Sequence, residues 1–198
     1  MVWAEKVCPK KLINSYSGLI SMCSVSKDEL LKLIQCCAFL EERVSEAYKH
    51  MAKRAEGPVL KALLSYVASD SWKHAETLKS VATALGGEMR GLGECEQVAG
   101  ELWAAVMRGV ENELAQTGKL SREDLASIVD SLTNLESAVM EEYLMMLQAE
   151  AIKMLLEGYP EADSLKMIMN WIAEDEKRHA QILMTLKGRE ERSIKAGI

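Results

Sequence analysis

The chain has few of the residues that build sheets and turns. Its 198 residues include one phenylalanine and three prolines, whereas alanine, leucine, glutamate, lysine and methionine are frequent. This composition favours helices over sheets. The alternation of apolar and polar residues that is typical of a half-buried strand is also lacking. We therefore expect an all-α protein.

Long apolar runs and an excess of positive charge are lacking as well. No apolar run approaches the roughly 20 residues needed to span a bilayer, and the N-terminus has no apolar signal-peptide core. The net charge of −6 argues against nucleic acid or an anionic membrane as a partner. With 48% apolar and 27% charged residues, the composition is that of a soluble globular domain.

A disulfide framework is not expected either. The five cysteines form no C-x-x-C pair, and their number is odd. The adjacent pair Cys36-Cys37 fits a buried helix better than a disulfide. We therefore expect reduced thiols and a cytoplasmic location.

The chain does contain an internal repeat. Residues 67–78 read VASDSWKHAETL and residues 172–183 read IAEDEKRHAQIL. Both follow the pattern aliphatic-Ala-x-Asp-x-x-basic-His-Ala-x-x-Leu. The second copy contains Glu176-x-x-His179, a spacing that carries metal ligands in some helical bundles. The first copy has Ser71 at the position of that glutamate.

The repeat extends upstream of both histidine segments. Glu41 is followed seven residues later by Tyr48, and Glu136 is followed at the same spacing by Tyr143. Seven residues make nearly two helical turns, so each pair shares one helix face. Each half of the chain therefore has the same order of glutamate, tyrosine, aspartate and histidine.

Breaks at Gly57-Pro58 and at residues 158–160 divide each half into a helical hairpin. We expect helices at about 27–55, 58–85, 97–116, 122–157 and 161–187, the last ending at Gly188. A serine followed three residues later by an acidic residue marks two of the starts, at Ser26 and Ser121. The predicted organisation is an N-terminal arm at 1–25, a four-helix bundle at 26–188 with a long crossover that contains the extra helix, and a tail at 189–198.

Packing the two hairpins about an approximate twofold axis brings acidic and imidazole side chains together. The candidate metal ligands are Glu41, His74, Glu136, Glu176 and His179. Buried carboxylates need a cation or a proton for compensation, and iron and manganese accept this mixed ligand set. We expect Asp175 to hydrogen-bond His74 across the bundle, and Asp70 to hydrogen-bond His179. Glu42, Glu141 and Glu142 are nearby in the sequence and could take the roles of Glu41 and Glu136 as ligands.

These motifs resemble those of the ferritin-like di-iron carboxylate superfamily, and of its rubrerythrin-type members in particular. Residues 175–179 are similar to the Asp-Glu-x-Arg-His phrase of di-iron oxygenases, and Glu41 with Tyr48 is similar to the helix-one pair of ferritins and rubrerythrins. The resemblance covers about residues 27–187. It implies two iron ions, with manganese as an alternative, and reduction of peroxide or dioxygen. Tyr48 and Tyr143 would then be nearby proton or electron donors.

The chain departs from this family at several positions. Ser71 removes a bridging carboxylate. The alternatives are that water, a hydroxide or Asp70 takes its place, or that the site holds one metal ion. The extra helix-three carboxylate of rubrerythrins corresponds to Val139, and no rubredoxin-like C-x-x-C pairs are present.

An enzyme would need a separate electron-donor protein, and we expect a homodimer. Two further hypotheses are a non-enzymatic metal-binding or scaffold bundle and an iron-storage protein.

Overall fold

The computed structural model describes residues 27–87, 93, 95–121, 123–125, 128, 129, 132 and 160–196, and it describes their side chains except at 98–102 and 186–196. Four helices have defined bounds: α1 (Lys27–Arg54), α2 (Pro58–Ala84), α3 (Cys95–Leu114) and α4 (Ala162–Ala196). The described residues contain no strand, and they contain one isolated β-bridge, between Ala55 and Leu120. The prediction of an all-α protein is confirmed.

The first two helices form the predicted hairpin. Gly57 adopts a φ of +91°, a conformation that residues with a Cβ rarely adopt, and Pro58 begins α2 without needing its missing N–H. The two helices pack along their length, and Ser45 Oγ of α1 donates a 2.6 Å hydrogen bond to the Ala68 carbonyl of α2. The hairpin therefore fixes which residues of α1 lie beside which residues of α2.

The crossover packs back along α1. Its helix α3 stacks Trp103 on Phe39 of α1, with ring centroids 5.7 Å apart. Beyond α3, the backbone N–H of Leu120 donates to the Arg54 carbonyl at the end of α1. The chain after α3 thus lies beside the end of α1.

The thiols of the crossover correct one sequence-based prediction. Cys36 of α1 and Cys95 at the start of α3 form a disulfide, so the expectation of reduced thiols is wrong for this pair. The spacing rules failed because the partner is 59 residues away in the sequence and is brought close only by the crossover. Cys37 remains a buried free thiol.

The start of the predicted third bundle helix is described in part. Asp124 N–H donates to Ser121 Oγ, and Ser121 N–H donates to an Asp124 carboxylate oxygen. This reciprocal pair is the capping box predicted at Ser121, and residues 123–125 are helical. Most of the predicted helix lies outside the described residues, as do the N-terminal arm and the Ser26 cap.

The last helix is longer than predicted. We expected it to end at Gly188, but α4 continues to Ala196. One glycine inside a helix costs only about 1 kcal/mol relative to alanine. The residues that follow it are mostly good helix formers, and no proline stops them. The predicted tail at 189–198 is therefore largely an extension of α4.

Aliphatic side chains fill most of the space between the helices, and they form two clusters. One lies between α1, α2 and the crossover and includes Leu40, Leu64 and Val106. The other lies between α1, α2 and α4 and includes Ile34, Leu78 and Met169. Every helix within the described ranges is too short or too polar to cross a membrane.

Candidate metal centre

The middle of α1 places an acidic side chain in the protein interior. Glu41 is 5% exposed, although an isolated buried carboxylate is unfavourable. Its neighbour Glu42 lies nearer the surface, where its carboxylate is 3.0 Å from Lys79 Nζ. Of the two carboxylates that the sequence left open in this helix, Glu41 is the one that faces inward.

His74 of α2 is fully buried beside this carboxylate. Its Nε2 lies 3.0 Å from Asp175 Oδ2, so the predicted contact across the bundle is present. A carboxylate only accepts hydrogen bonds, so Nε2 carries a proton and Nδ1 is the nitrogen that could bind a metal. Nδ1 faces Glu176 Oε1 at 3.0 Å and Glu41 Oε2 at 3.8 Å.

His179 of α4 repeats this arrangement in the opposite direction. Its Nε2 lies 3.3 Å from Asp70 Oδ2, which is the second predicted contact, and its Nδ1 lies 3.4 Å from Glu176 Oε2. The rings of His74 and His179 are stacked, with centroids 5.9 Å apart and planes inclined by 30°. Glu176 therefore lies between the imidazoles, with one carboxylate oxygen facing each.

The ligand atoms of three helices are close enough to share one ion. Glu41, His74 and Glu176 are all buried, and one ligand atom from each lies within 4.8 Å of the other two. Metal–ligand bonds of about 2.1 Å place two ligand atoms at most about 4.2 Å apart. The two contacts of His74 Nδ1, at 3.0 Å to Glu176 and 3.8 Å to Glu41, already lie within this limit.

The Nδ1 atom of His74 is buried without a hydrogen-bond partner among the described residues. His74 Nδ1 makes no aligned hydrogen bond within the described part of the chain, although Glu176 Oε1 is only 3.0 Å away. Buried polar atoms rarely lack such a bond in native proteins. A buried nitrogen without an aligned hydrogen bond, close to two carboxylate oxygens, is an arrangement that fits a cation.

The carboxylates also change the protonation of the imidazole. Burial by itself would lower the pKa of His74, but the carboxylates of Glu176 and Glu41 outweigh it and raise the pKa to about 9. Without a metal ion, a proton therefore occupies Nδ1 at neutral pH. A metal ion must displace that proton, so binding and proton release are linked.

Sequence reasoning missed three side chains around the two aspartates. Lys73 Nζ donates 2.9 Å hydrogen bonds to both Asp70 and Asp175, so it connects the two aspartate–histidine pairs. Arg178 also pairs with Asp175. Both cations occupy the basic position before histidine in the repeat, and that shared position was the signal that sequence reasoning overlooked.

The third missed residue is Tyr66, one turn before Asp70. Its ring meets His179 edge-on with centroids 6.5 Å apart, and its hydroxyl hydrogen-bonds Asp70. Burial alone would raise the pKa of Asp70, but hydrogen bonds from Lys73, His179 and Tyr66 lower it. Asp70 therefore remains a carboxylate that accepts from His179.

The remaining predicted site residues are placed less completely. Tyr48 is buried in the core cluster between α1, α2 and the crossover, and its role as a donor stays a prediction. Glu136 and Tyr143 lie outside the described residues, as do the alternatives Glu141 and Glu142. The structure thus brings together four of the five predicted ligands, and their function as ligands stays a prediction.

No protein-family model, no curated protein and no solved structure matches the chain. A ferritin-like relationship therefore stays a prediction from the repeat and from the resemblance of its motifs. The helical packing and the buried glutamate–histidine group are the findings from which a function can be inferred.

Proposed function

We propose that the protein is a ferritin-like metal-binding bundle that holds iron or manganese between α1, α2 and α4. The observation that carries this proposal is the buried group of Glu41, His74 and Glu176, whose ligand atoms lie within 4.8 Å of one another. Mixed carboxylate and imidazole ligands suit these two metals. A second ion would lie between His179 and Glu176 Oε2, with the predicted ligand Glu136 completing it.

The class of reaction that fits this site is the reduction of peroxide or dioxygen. When bound, a redox-active metal supplies the electron-transfer chemistry that amino acid side chains lack. Asp175 and Asp70 keep a proton on Nε2 of their histidines and so orient both Nδ1 atoms. Peroxide reduction to two waters consumes two electrons and two protons. A separate electron-donor protein would supply the electrons, because the chain contains no C-x-x-C motif.

The metal proposal is tested by loading purified protein anaerobically with Fe(II) or Mn(II), removing loosely held ions and measuring metal by elemental analysis. We expect stoichiometric metal that is lost in Glu176→Ala and His179→Ala. Glu174→Ala is the matched control, because Glu174 is exposed on the same helix. A wild-type protein that retains no iron or manganese would refute the proposal.

The reaction is tested separately with the iron-loaded protein. We expect peroxide to be consumed when a chemical reductant is supplied, and this activity should disappear in the variants that lose metal. Peroxide that persists in the presence of bound iron would remove the enzymatic part of the proposal while the metal-binding part stands.

Ser71 favours a second candidate function, that of a non-enzymatic metal-binding or scaffold protein. It replaces a bridging carboxylate and so removes one negative charge from the buried site. Bound iron without any peroxide or dioxygen turnover would be the expected result for this candidate. Iron storage, the third hypothesis, predicts a cage, and light scattering separates its mass from that of the expected homodimer.

The cellular location is open to a similar test. A cytoplasmic location stays a prediction from the sequence, whereas a disulfide such as Cys36–Cys95 is more typical of oxidising compartments. Alkylation of free thiols in whole cells, followed by mass spectrometry, measures whether this pair is oxidised where the protein resides.

A further inference from the structure

Ser71 is buried in the candidate metal centre and its hydroxyl lacks a partner. The side chain is 1% exposed, and Oγ makes no hydrogen bond within the part of the chain that the structure describes. Buried hydroxyls without a partner are uncommon, because losing hydration without replacement costs about 1–3 kcal/mol. A ligand that accepts a hydrogen bond would remove this cost.

Other hydroxyls of α2 show what Ser71 does not do. Ser69, Thr77, Ser80 and Thr83 each donate to the carbonyl four residues earlier, at 2.8 or 2.9 Å. This is the usual solution for a hydroxyl inside a helix. These four lie on exposed faces, whereas Ser71 is buried and does not make the bond. Its hydroxyl is therefore free to donate to another group.

The contacts of its neighbours place Ser71 beside the two imidazoles. Asp70 reaches His179, and His74 reaches Glu176. Ser71 lies between these two α2 residues in the sequence and shares a helix face with His74, three residues later. Its buried side chain therefore faces the same space between α2 and α4.

An approximate twofold axis gives this position a counterpart. The reciprocal pairs Asp175–His74 and Asp70–His179 show that α2 and α4 present the same segment to each other in opposite directions. Glu176 precedes His179 by three residues, as Ser71 precedes His74. Where α4 presents a carboxylate to both imidazoles, α2 thus presents a shorter and uncharged hydroxyl.

We propose that a small carboxylate from solution, of the size of formate, binds beside Ser71 as an exogenous ligand of the metal centre. Its oxygens take the place of the missing glutamate, and one of them accepts a hydrogen bond from Ser71 Oγ. The three ligand atoms of Glu41, His74 and Glu176 leave coordination positions open on an iron or manganese ion. This inference rests on the proposed metal-binding function and adds a ligand site to it.

The test uses Co(II)-loaded full-length protein, whose visible absorption changes when an exogenous ligand joins the metal. Formate is titrated at constant ionic strength. We expect a saturable change in the wild type, about tenfold weaker formate affinity in Ser71→Ala, since a hydrogen bond to a charged group is lost, and no response in Ser71→Glu, whose own carboxylate fills the place. Benzoate tests the size of the site and should give no response, because Ser71 is buried and the proposed ligand is no larger than formate.

Ser69→Ala is the matched control, because it removes an exposed hydroxyl of the same helix that is already bonded to Ser65. It should leave the formate affinity unchanged. Should Ser71→Glu fail to fold, the comparison of Ser71→Ala with Ser69→Ala decides the matter alone.

If formate does not change the absorption of the Co(II)-loaded wild type, the anion site is refuted and the metal-binding function stands. Equal formate affinity in the wild type and Ser71→Ala also overturns it, because the hydroxyl then takes no part. Protein that does not bind Co(II) at all overturns both the anion site and the metal-binding function.

Discussion

Helices α2 and α4 place a histidine against the same space, but they differ in what accompanies it. Each histidine donates Nε2–H to an aspartate of the other helix, at 3.0 Å for His74 and 3.3 Å for His179. One turn earlier, α4 has Glu176 and α2 has Ser71. The comparison shows that helix packing and the aspartates orient the imidazoles, whereas among the described residues the carboxylate that faces both imidazoles comes from Glu176.

The aspartates also differ between the two helices. The Asp175 side chain is 8% exposed and pairs with Lys73 and Arg178 as well as His74. The Asp70 side chain is 14% exposed and meets His179 at the longer distance. Burial strengthens electrostatic contacts because less water screens them. The His74 half of the site should therefore be held more firmly than the His179 half.

The largest effect is expected when the carboxylate of Glu176, which faces both imidazoles, is removed. Glu176→Ala removes the proposed metal ligand that faces both histidines. Metal affinity should therefore fall by more than the roughly 10–100-fold that loss of an outer hydrogen-bond partner costs. Isothermal titration with Mn(II) measures this change. The exposed Glu174→Ala should bind like the wild type, and equal losses in both variants would contradict the bridging role.

Removing the two aspartates one at a time tests whether the halves are unequal. Asp175→Asn should lower metal affinity by about 10–100-fold, because His74 loses the acceptor that fixes its orientation. Asp70→Asn should cost about tenfold, since its contact is longer and less buried. The same titration compares the two variants with Asp163→Asn, a change at the exposed start of α4. A larger loss in Asp70→Asn would reverse the comparison.

Sequence reasoning reached this site because the repeat placed its residues in order. The hairpin α1–α2 and the capping box at Ser121 follow from local rules of helix breaks and caps. Both aspartate–histidine contacts follow from the repeat once its two halves are packed about a twofold axis. The Cys36–Cys95 disulfide joins cysteines outside the repeat, and Lys73 reaches Asp175 through a long side chain whose direction the repeat does not specify. The extension of α4 past Gly188 shows that a single glycine is a weak stop signal.

The protonation of His74 predicts how the metal-free protein responds to pH. Its pKa rises from 6.5 to about 9 on folding, so its stabilising contribution is complete below about pH 6.5 and is lost as pH rises through about 9. Urea unfolding of metal-free protein across this range should show declining stability. His74→Gln should flatten the decline, and stability that instead rises toward pH 9 in the wild type would contradict the assignment.

Metal should reverse this trend in the same pH window. A proton and a metal ion compete for His74 Nδ1, so Mn(II) affinity should increase as pH rises from about 6.5 to about 9. Titration calorimetry in buffers of different ionisation enthalpy measures the protons released on binding. A binding reaction that releases no proton at pH 7 would show that His74 is not a ligand.

The smallest effect is expected at the cation that joins the two halves. Lys73→Gln removes bonds to both aspartates, but the lysine side chain is 55% exposed, and exposed ion pairs contribute at most about 1 kcal/mol. Metal affinity should fall by about two- to fivefold. Lys61→Gln, exposed on the same helix, is the control, and a loss above tenfold in Lys73→Gln alone would mean that the cation fixes both aspartates more strongly than its exposure indicates.

The central claim is that Glu41, His74 and Glu176 share a buried metal ion, and anomalous X-ray scattering tests it most directly. Crystals of protein loaded with Mn(II) or Fe(II) would be measured on both sides of the metal's absorption edge. We predict an anomalous peak about 2.0–2.3 Å from His74 Nδ1 and from one carboxylate oxygen each of Glu41 and Glu176. Metal peaks confined to exposed acidic side chains, with His74 Nδ1 bonded only to protein atoms, would contradict it.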